Sequence, residues 1–174
     1  MSHDLHLKHH ASVSWLLAQW AHAIDDDRVE EIAELMRADG RYTVSSRFNV
    51  SRGLPLSIID ARSAAQLRDR IKSMRLANIY QPQHYRHSLS AIQVIGLDPE
   101  GCLQVRSNFT VFRTLEASGD SLFFAGGRCD DVIDLSGDRP CFVRRHFIYD
   151  SRAVETLMVI PDRKSTRLNS SHVA

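Results

Sequence analysis

The chain has 174 residues, 43% of them hydrophobic and 25% charged, values typical of one soluble globular domain with a single core. The formal net charge of +1 provides no bulk attraction to nucleic acid or an anionic membrane, and no apolar stretch approaches the roughly 20 residues that span a bilayer. Three widely spaced cysteines, Cys102, Cys129 and Cys141, indicate buried reduced thiols; with no export signal at the polar start, they predict a cytoplasmic protein.

Two amphipathic helices are predicted near the start of the chain. Apolar residues from Ala11 to Ile24 recur at steps of three and four, the period of one helical face. Asp25-Asp26-Asp27 breaks this pattern, and Asp27 with Glu30 has the spacing of a capping box that would begin a second helix. We expect that helix to end near Asp39-Gly40.

A strand and a third helix follow. Alternating apolar positions predict a strand from Tyr42 to Val50, which Gly53-Leu54-Pro55 would end or bend. Ser63 and Gln66 again have capping-box spacing, and apolar residues continue at steps of four and three. A third helix is therefore predicted from there to about Asn78.

From Tyr85 onward the helical period gives way to strands joined by polar turns. Strands are predicted at 89–95, 103–111, 122–135 and 141–149, with a last short strand at 154–160. Gly126-Gly127 predicts a bulge or sharp bend. The order of elements predicts an α+β domain in which three helices cover a curved antiparallel sheet, and it resembles the cone-shaped fold of nuclear transport factor 2.

A single domain is expected to occupy residues 1–161. From Asp162 to His172 the chain reads Asp-Arg-Lys-Ser-Thr-Arg-Leu-Asn-Ser-Ser-His, which is the translation of a common short-read sequencing adapter. This string carries no hydrophobic period. We therefore interpret residues 162–174 as a non-native tail and leave them out of fold reasoning.

The sequence lacks the motifs of several enzyme classes. A Rieske iron–sulfur centre needs paired Cys and His ligands, and no cysteine here has a histidine two or three residues after it. Gly-x-Gly-x-x-Gly, P-loop and Gly-x-Ser-x-Gly motifs do not occur. On an extended segment His84 and His87 would point to opposite faces, which disfavours a shared iron site.

The open end of a cone-shaped fold is a natural pocket for proton-transfer chemistry. Candidates for such a site are Tyr42, His87, Asp130 and His146, each of which could equally be a hydrogen-bonded structural residue. An alternative function as an autonomous cyclase, isomerase or dehydratase with a His/Asp site therefore stays open.

Three segments carry a resemblance to a known family: Asp69-Arg70-Ile71, the run from Arg75 to Tyr80, and His84-Tyr85-Arg86-His87. They resemble the small (beta) subunits of bacterial aromatic-ring-hydroxylating dioxygenases, which are Rieske non-haem iron oxygenases. The run that ends in Ala-Asn-Ile-Tyr looks closest to subunits paired with oxygenases for carboxylated aromatics such as salicylate, terephthalate and anthranilate. Tyr42-Thr43-Val44 and Glu155-Thr156-Leu157 are similar to the family's first and last strands.

The resemblance implies a non-catalytic structural subunit in a hexamer of three alpha and three beta chains. The alpha chain would carry the Rieske [2Fe-2S] cluster, the mononuclear Fe(II) and the ring-binding pocket. This chain would then hold no cofactor and no catalytic residue, while belonging to an oxidoreductase of aromatic catabolism.

The same motif predicts the surface that contacts other chains. Arginine side chains are planar forks suited to carboxylates on a neighbouring chain, and tyrosine is enriched at protein contacts. The alternative is that Arg70 and Arg75 only solvate the third helix. The candidate interface residues are Asp69, Arg70, Arg75, Tyr80, His84, Tyr85, Arg86 and His87.

Overall fold

The computed structural model describes residues 2–77 and 82–151, which form one sheet and the helices packed on it. The helices are α1 (Ser2–Asp25), a 3₁₀ helix (Val29–Ala33), α2 (Arg47–Ser51) and α3 (Ala64–Ala77). The strands are β1 (Met36–Ser46), β2 (Ile59–Ala61), β3 (Gln83–Leu97), β4 (Leu103–Leu115), β5 (Ser121–Asp134) and β6 (Cys141–Tyr149). No helix in this part of the chain is both long and apolar enough to cross a membrane.

The six strands form one sheet in the order β2-β1-β6-β5-β4-β3. Neighbouring strands are antiparallel except β1 and β6, which run parallel. Helix α1 packs against β3, and α3 packs against β1 and the 3₁₀ helix. The predicted α+β fold, a curved open sheet covered by helices, is confirmed.

The core lies between the helices and the face of the sheet that carries Tyr42, Phe109 and Phe147, which we call the inner face. Trp20 of α1 is only 1% exposed, and its ring centroid lies 5.2 Å from that of Tyr42 and 5.4 Å from that of Phe142. Phe109 and Phe147 are in edge-to-face contact at 5.0 Å. Because buried aromatic side chains each remove a large area from water, these five rings fill much of the space between helix and sheet.

The second helix is shorter than the sequence predicts. It is a 3₁₀ helix that ends at Ala33, and β1 begins at Met36, before Asp39-Gly40. Its N-cap is Arg28, with no side-chain capping bond, so the predicted capping box is wrong. The carboxylate of Asp27 instead accepts a hydrogen bond from Arg75 of α3, which shows a tertiary ion pair prevailing over a local cap.

The first strand ends earlier than predicted. Ser46 caps α2, its Oγ accepting a hydrogen bond from the Asn49 N–H at 3.1 Å, so Phe48 and Val50 lie on a short helix. The prediction for α3 is confirmed, because Ser63 Oγ accepts from the Gln66 N–H at 3.1 Å.

The four long strands predicted after Tyr85 are present, and β3 begins earlier than expected, at Gln83. The predicted bulge is displaced, since the register shift falls at Phe124 and the two glycines are in regular register with β4. The three cysteines are free, as predicted; Cys102 and Cys129 are buried and Cys141 is partly buried. The predicted strand at 154–160 and the tail at 162–174 lie outside the described residues.

Candidate functional site

Three consecutive carboxylates, Asp25, Asp26 and Asp27, hold the candidate interface together where α1 ends; we call them the acidic turn. Asp27 adopts a left-handed φ of 58°, a conformation that aspartate tolerates better than most residues. Each carboxylate lies within 4.0 Å of a different basic side chain of the predicted interface: His87, Arg86 and Arg75, respectively. The acidic turn therefore ties α1 to both α3 and β3.

Asp25 fixes the start of β3. Its Oδ1 lies 2.6 Å from Nδ1 of His87, and its Oδ2 accepts from the backbone N–H of His87 at 2.9 Å. The two side chains are only 10% and 5% exposed, with His87 given first. Because β3 is an edge strand, its outer side has no neighbouring strand to accept the backbone N–H of His87. Asp25 accepts this hydrogen bond instead.

Arg75 closes the other side of the acidic turn. Its Nη1 donates to Asp27 Oδ1 at 2.7 Å, its Nε donates to Glu30 Oε1 at 2.9 Å, and its Nη2 donates to the Asp27 carbonyl at 2.7 Å. These bonds raise the pKa of Arg75, and the bond from Arg75 lowers the pKa of Glu30. The guanidinium fork is thus largely occupied by carboxylates of its own chain.

Arg86, His84 and Leu76 are the members of this region most open to a partner. Arg86 is 71% exposed, and its ion pair with Asp26 is long, at 4.0 Å. His84 is exposed and lies three residues from His87 along β3, so the two imidazoles face opposite sides of the strand as predicted. Leu76, beside Arg75, is 90% exposed, and an apolar side chain so placed favours a contact with another surface.

The other candidate interface residues divide between surface and core. Asp69 is exposed on α3, whereas Arg70 is half-buried and its Nε is buried without a hydrogen-bond partner among the described residues. Tyr85 is buried, with its ring centroid 5.9 Å from that of Phe124. Tyr80 lies outside the described residues. The sequence reasoning missed the acidic turn as an anchor, although a run of three aspartates after an apolar helix was the available signal.

The interior of the cone holds a second polar group of residues. Tyr42 of β1, Arg145 of β6 and Asp131 of β5 are consecutive cross-strand neighbours on the inner face. Arg145 and Asp131 have completely buried side chains. Burial raises the pKa of Asp131 to about 6, and it also raises the pKa of the Tyr42 hydroxyl.

Asp130 and His146, which the sequence suggested for a site inside the cone, belong to the opposite face. Asp130 pairs with Arg106 and Arg128, both at 3.2 Å. Nε2 of His146 lies 3.0 Å from Ser45 Oγ, and partial burial lowers its pKa. The interpretation was displaced by one residue along each strand, and a shift of one residue exchanges the two faces.

A cavity of about 1000 Å³ opens on the sheet, and none of the four proton-transfer candidates lines it. Its wall includes Asn108, Phe123, Gly126 and Arg128, but none of Tyr42, His87, Asp130 and His146. Among the residues that the structure describes, no group of three or more His, Cys, Asp or Glu side chains could hold a metal ion.

Comparison with known proteins places the chain in a family. Residues 19–156 match the family model described as ring hydroxylating beta subunit. The chain belongs to this family. It is similar to the small subunit of anthranilate 1,2-dioxygenase from Burkholderia cepacia, with 31% identity over 79% of this chain and 84% of the relative. It is also similar to subunit beta 2 of the terminal oxygenase component of terephthalate 1,2-dioxygenase from Comamonas sp, with 30% identity over 83% and 92%.

Solved structures agree with this assignment. A protein from Novosphingobium aromaticivorans, described as the beta subunit of an aromatic-ring-hydroxylating dioxygenase, has 26% identity and a TM-score of 0.77 over 88% of this chain and 95% of that one. The beta subunit of benzoate 1,2-dioxygenase from Burkholderia mallei shares the fold, with 21% identity and a TM-score of 0.64 over 80% and 89%. A scytalone dehydratase-type protein from N. aromaticivorans also shares the fold, with 14% identity and a TM-score of 0.64 over 85% and 88%. The fold alone therefore does not distinguish a subunit from an enzyme.

Proposed function

We propose that this chain is a non-catalytic, cytoplasmic beta subunit of an oxygenase that hydroxylates a carboxylated, benzoate-like aromatic. Its alpha partner would carry the Rieske [2Fe-2S] cluster and the mononuclear Fe(II), and three chains of each kind would assemble. Support for the substrate class comes from the relatives, which are subunits of dioxygenases for anthranilate and terephthalate.

The observation that carries a structural role is the arrangement around the acidic turn. Asp25 and Asp27 fix β3 and α3 through His87 and Arg75, and this leaves Arg86, His84 and Leu76 exposed on adjoining elements. A rigid base beneath exposed arginine, histidine and leucine side chains suits a protein contact better than a reaction site. We propose that the eight residues predicted from the sequence contribute to this contact, with His84 and Arg86 touching the partner directly. Arg75, His87 and the buried Tyr85 would act as internal supports of that surface.

Co-expression with an oxygenase alpha subunit tests the proposed function. We expect one red-brown complex that contains both chains, has the native mass of a hexamer and shows the visible absorbance of an iron–sulfur cluster. The iron should follow the alpha chain when the two are separated. A colourless beta chain that never co-purifies with alpha would contradict the proposal.

The interface makes a more specific prediction. Substituting His84 and Arg86 together by alanine should weaken assembly by about 1–2 kcal/mol, a factor of roughly 5–30, because it removes a charge and a ring expected at the contact. Native mass spectrometry at decreasing concentration would measure the loss of hexamer. Both side chains are exposed in the isolated chain, so its unfolding temperature should change little.

A matched control is available at the other end of the strands. Arg139, exposed in the turn between β5 and β6, should tolerate alanine with no change in assembly. Equal weakening by Arg139→Ala, or unchanged hexamer mass in the His84→Ala/Arg86→Ala variant, would place the contact elsewhere.

An autonomous cone-fold enzyme is the alternative function, and the His87–Asp25 pair at 2.6 Å is the observation that favours it. A histidine paired with a carboxylate can transfer protons. This alternative predicts turnover of a small hydrophobic substrate by the isolated, metal-free chain, and it predicts loss of that turnover in His87→Gln. The proposed function predicts neither result.

A further inference from the structure

The buried Asp131–Arg145 pair does not form a hydrogen-bonded salt bridge. Nη1 of Arg145 lies 3.6 Å from Oδ2 of Asp131, and both side chains have 0% exposure. Charge-assisted hydrogen bonds between a guanidinium and a carboxylate are normally about 2.7–2.9 Å long. The two groups attract each other through their charges, without a direct hydrogen bond between them.

Aromatic rings surround the guanidinium and leave its N–H groups without acceptors. The Cζ of Arg145 lies 4.7 Å from the ring centroid of Trp20, 4.3 Å from that of Phe142 and 4.7 Å from that of Phe147. Such contacts favour the cation through the ring faces, but they satisfy no hydrogen bond in the plane of the guanidinium. All three nitrogens of Arg145 lack a hydrogen-bond partner within the described part of the protein.

Other unpaired polar atoms adjoin the pair. The indole Nε1 of Trp20 is buried without a hydrogen-bond partner in the described residues. The Asp131 carboxylate and Ser107 Oγ are buried with weak contacts only, to the backbone N–H of His146 and the thiol of Cys129 respectively, and neither reaches good hydrogen-bond geometry. Ser107 is two residues along β4 from Val105, the direct cross-strand neighbour of Asp131, so Ser107 and Asp131 are diagonal neighbours on the inner face. The unpaired atoms of these residues and Arg145 thus belong to one region of the core.

These atoms cannot all stay without hydrogen bonds. Each buried polar group left unsatisfied carries a desolvation penalty, and the penalties of so many groups would rival the entire stability of a domain. Buried polar groups in folded proteins are therefore paired with protein atoms or with ordered molecules. The other side chains of this region are aromatic or aliphatic apart from the hydroxyl of Tyr42 and the thiol of Cys129, and two such groups are too few to accept from every N–H of Arg145 and Trp20.

The chemistry of the group selects the kind of molecule that can pair with it. Arg145 and Asp131 balance each other in charge, which disfavours a bound ion. Arg145 and Trp20 offer donors, Asp131 offers acceptors and Ser107 offers both, so the guest must accept from some and donate to others. The completely buried side chains restrict it to a very small molecule, and water meets each of these conditions.

We propose that Asp131, Arg145, Ser107 and Trp20 form an internal hydration site, in which long-lived water molecules bridge the guanidinium to the carboxylate. The core of the cone is then a solvated ion pair enclosed by aromatic rings. This site does not depend on the proposed function, because it follows from side chains in the interior and not from the partner surface.

Nuclear magnetic resonance of the full chain tests the site through its two tryptophans. We expect the indole N–H of Trp20 and the Nε–H of Arg145 to show cross-relaxation with slowly exchanging water. Trp15 is 44% exposed, whereas Trp20 is 1% exposed, so the Trp15 indole reports only rapidly exchanging surface water and serves as an internal control. The absence of any water signal at Trp20 and Arg145 would overturn the proposal.

Two further measurements decide between water and the other occupants. Ser107→Ala should reduce the water signal at Trp20, whereas Ser90→Ala, an exposed serine on β3, should leave it unchanged. A scalar coupling directly across an Arg145–Asp131 hydrogen bond would show a dry ion pair and contradict the site. A shift of the Arg145 resonance that saturates with chloride would show a bound anion and also contradict it.

Discussion

Replacing Arg145 with methionine is expected to lower the free energy of unfolding by about 3–5 kcal/mol at pH 7, because it leaves the buried carboxylate of Asp131 without its counter-charge. Both side chains are fully buried, so bulk solvent cannot supply a counter-charge in place of the guanidinium. Urea or guanidinium chloride denaturation followed by tryptophan fluorescence would measure the change.

The double variant separates the loss of charge from the loss of packing. Asp131→Leu combined with Arg145→Met should recover most of the stability, since replacing a whole buried ion pair with apolar residues is often neutral or stabilising. Arg144→Met is the matched control, because Arg144 is the exposed neighbour on β6 and should change stability by less than about 0.5 kcal/mol. A double variant as unstable as Arg145→Met would show that packing of the arginine, not its charge, is what the core requires.

The pH dependence of the free energy of unfolding provides a second test of the Asp131–Arg145 pair. Burial raises the pKa of Asp131 from 3.8 to about 6, while Arg145 acts in the opposite direction. Between these values the folded state holds a proton that the unfolded state has released, so this carboxyl makes stability fall as pH rises from about 4 to 6 and then level off. In Arg145→Met the decline should continue to higher pH, and Asp131→Asn should remove it.

The fold could be predicted from the sequence because its main signals are periodic. The apolar period of α1 and the Ser63/Gln66 cap of α3 are local patterns, and the structure bears out both helices. The length of the second helix was overestimated because Asp27, the expected cap, instead binds Arg75, which lies 48 residues later in the chain. A local sequence pattern cannot reveal a contact between two residues so far apart in the chain.

The interior residues were missed because the sequence places a strand more reliably than it assigns the faces. Asp130 and Asp131 are adjacent acids, and His146 follows Arg145, so the choice between faces depends on a register that only the cross-strand neighbours set. A buried charge was also the less expected choice, since arginine and aspartate are rarely fully buried unless paired. Asp131 and Arg145 can be buried because they pair with each other, and they lie on different strands, β5 and β6.

The interior of the cone thus holds two charged side chains that are completely enclosed by the core. The rings of Trp20, Phe142 and Phe147 close around Arg145. Filling the interior leaves the exterior, around the acidic turn, as the surface on which a subunit role would depend. The interior around Arg145 and the surface around the acidic turn can therefore be tested by separate substitutions, whose effects on stability are expected to add.

Gly127→Ala is expected to have the second large effect, a loss of about 3 kcal/mol or more in the free energy of unfolding. A Cβ at this position would lie 2.1 Å from the carbonyl oxygen of Ile148 and 2.9 Å from the Cα of Tyr149. These are backbone atoms of β6, so no side-chain rotation can relieve the overlap, and β5 must separate from β6. Low yield of soluble protein and a lower denaturation midpoint would report the effect.

Alanine substitutions at two other glycines of the sheet provide a graded comparison for Gly127→Ala. At Gly96 a Cβ would meet nothing within 4 Å, so Gly96→Ala should be neutral. At Gly126 the Cβ would lie 3.1 Å from the ring of Phe123, an exposed side chain that can move, so an intermediate cost is expected. The order Gly96, Gly126, Gly127 in increasing cost follows from whether nothing, a mobile ring or a backbone stands in the way. If Gly127→Ala proved as stable as Gly96→Ala, the close approach of β5 and β6 would be wrong, and with it the register that places Asp131 beside Arg145.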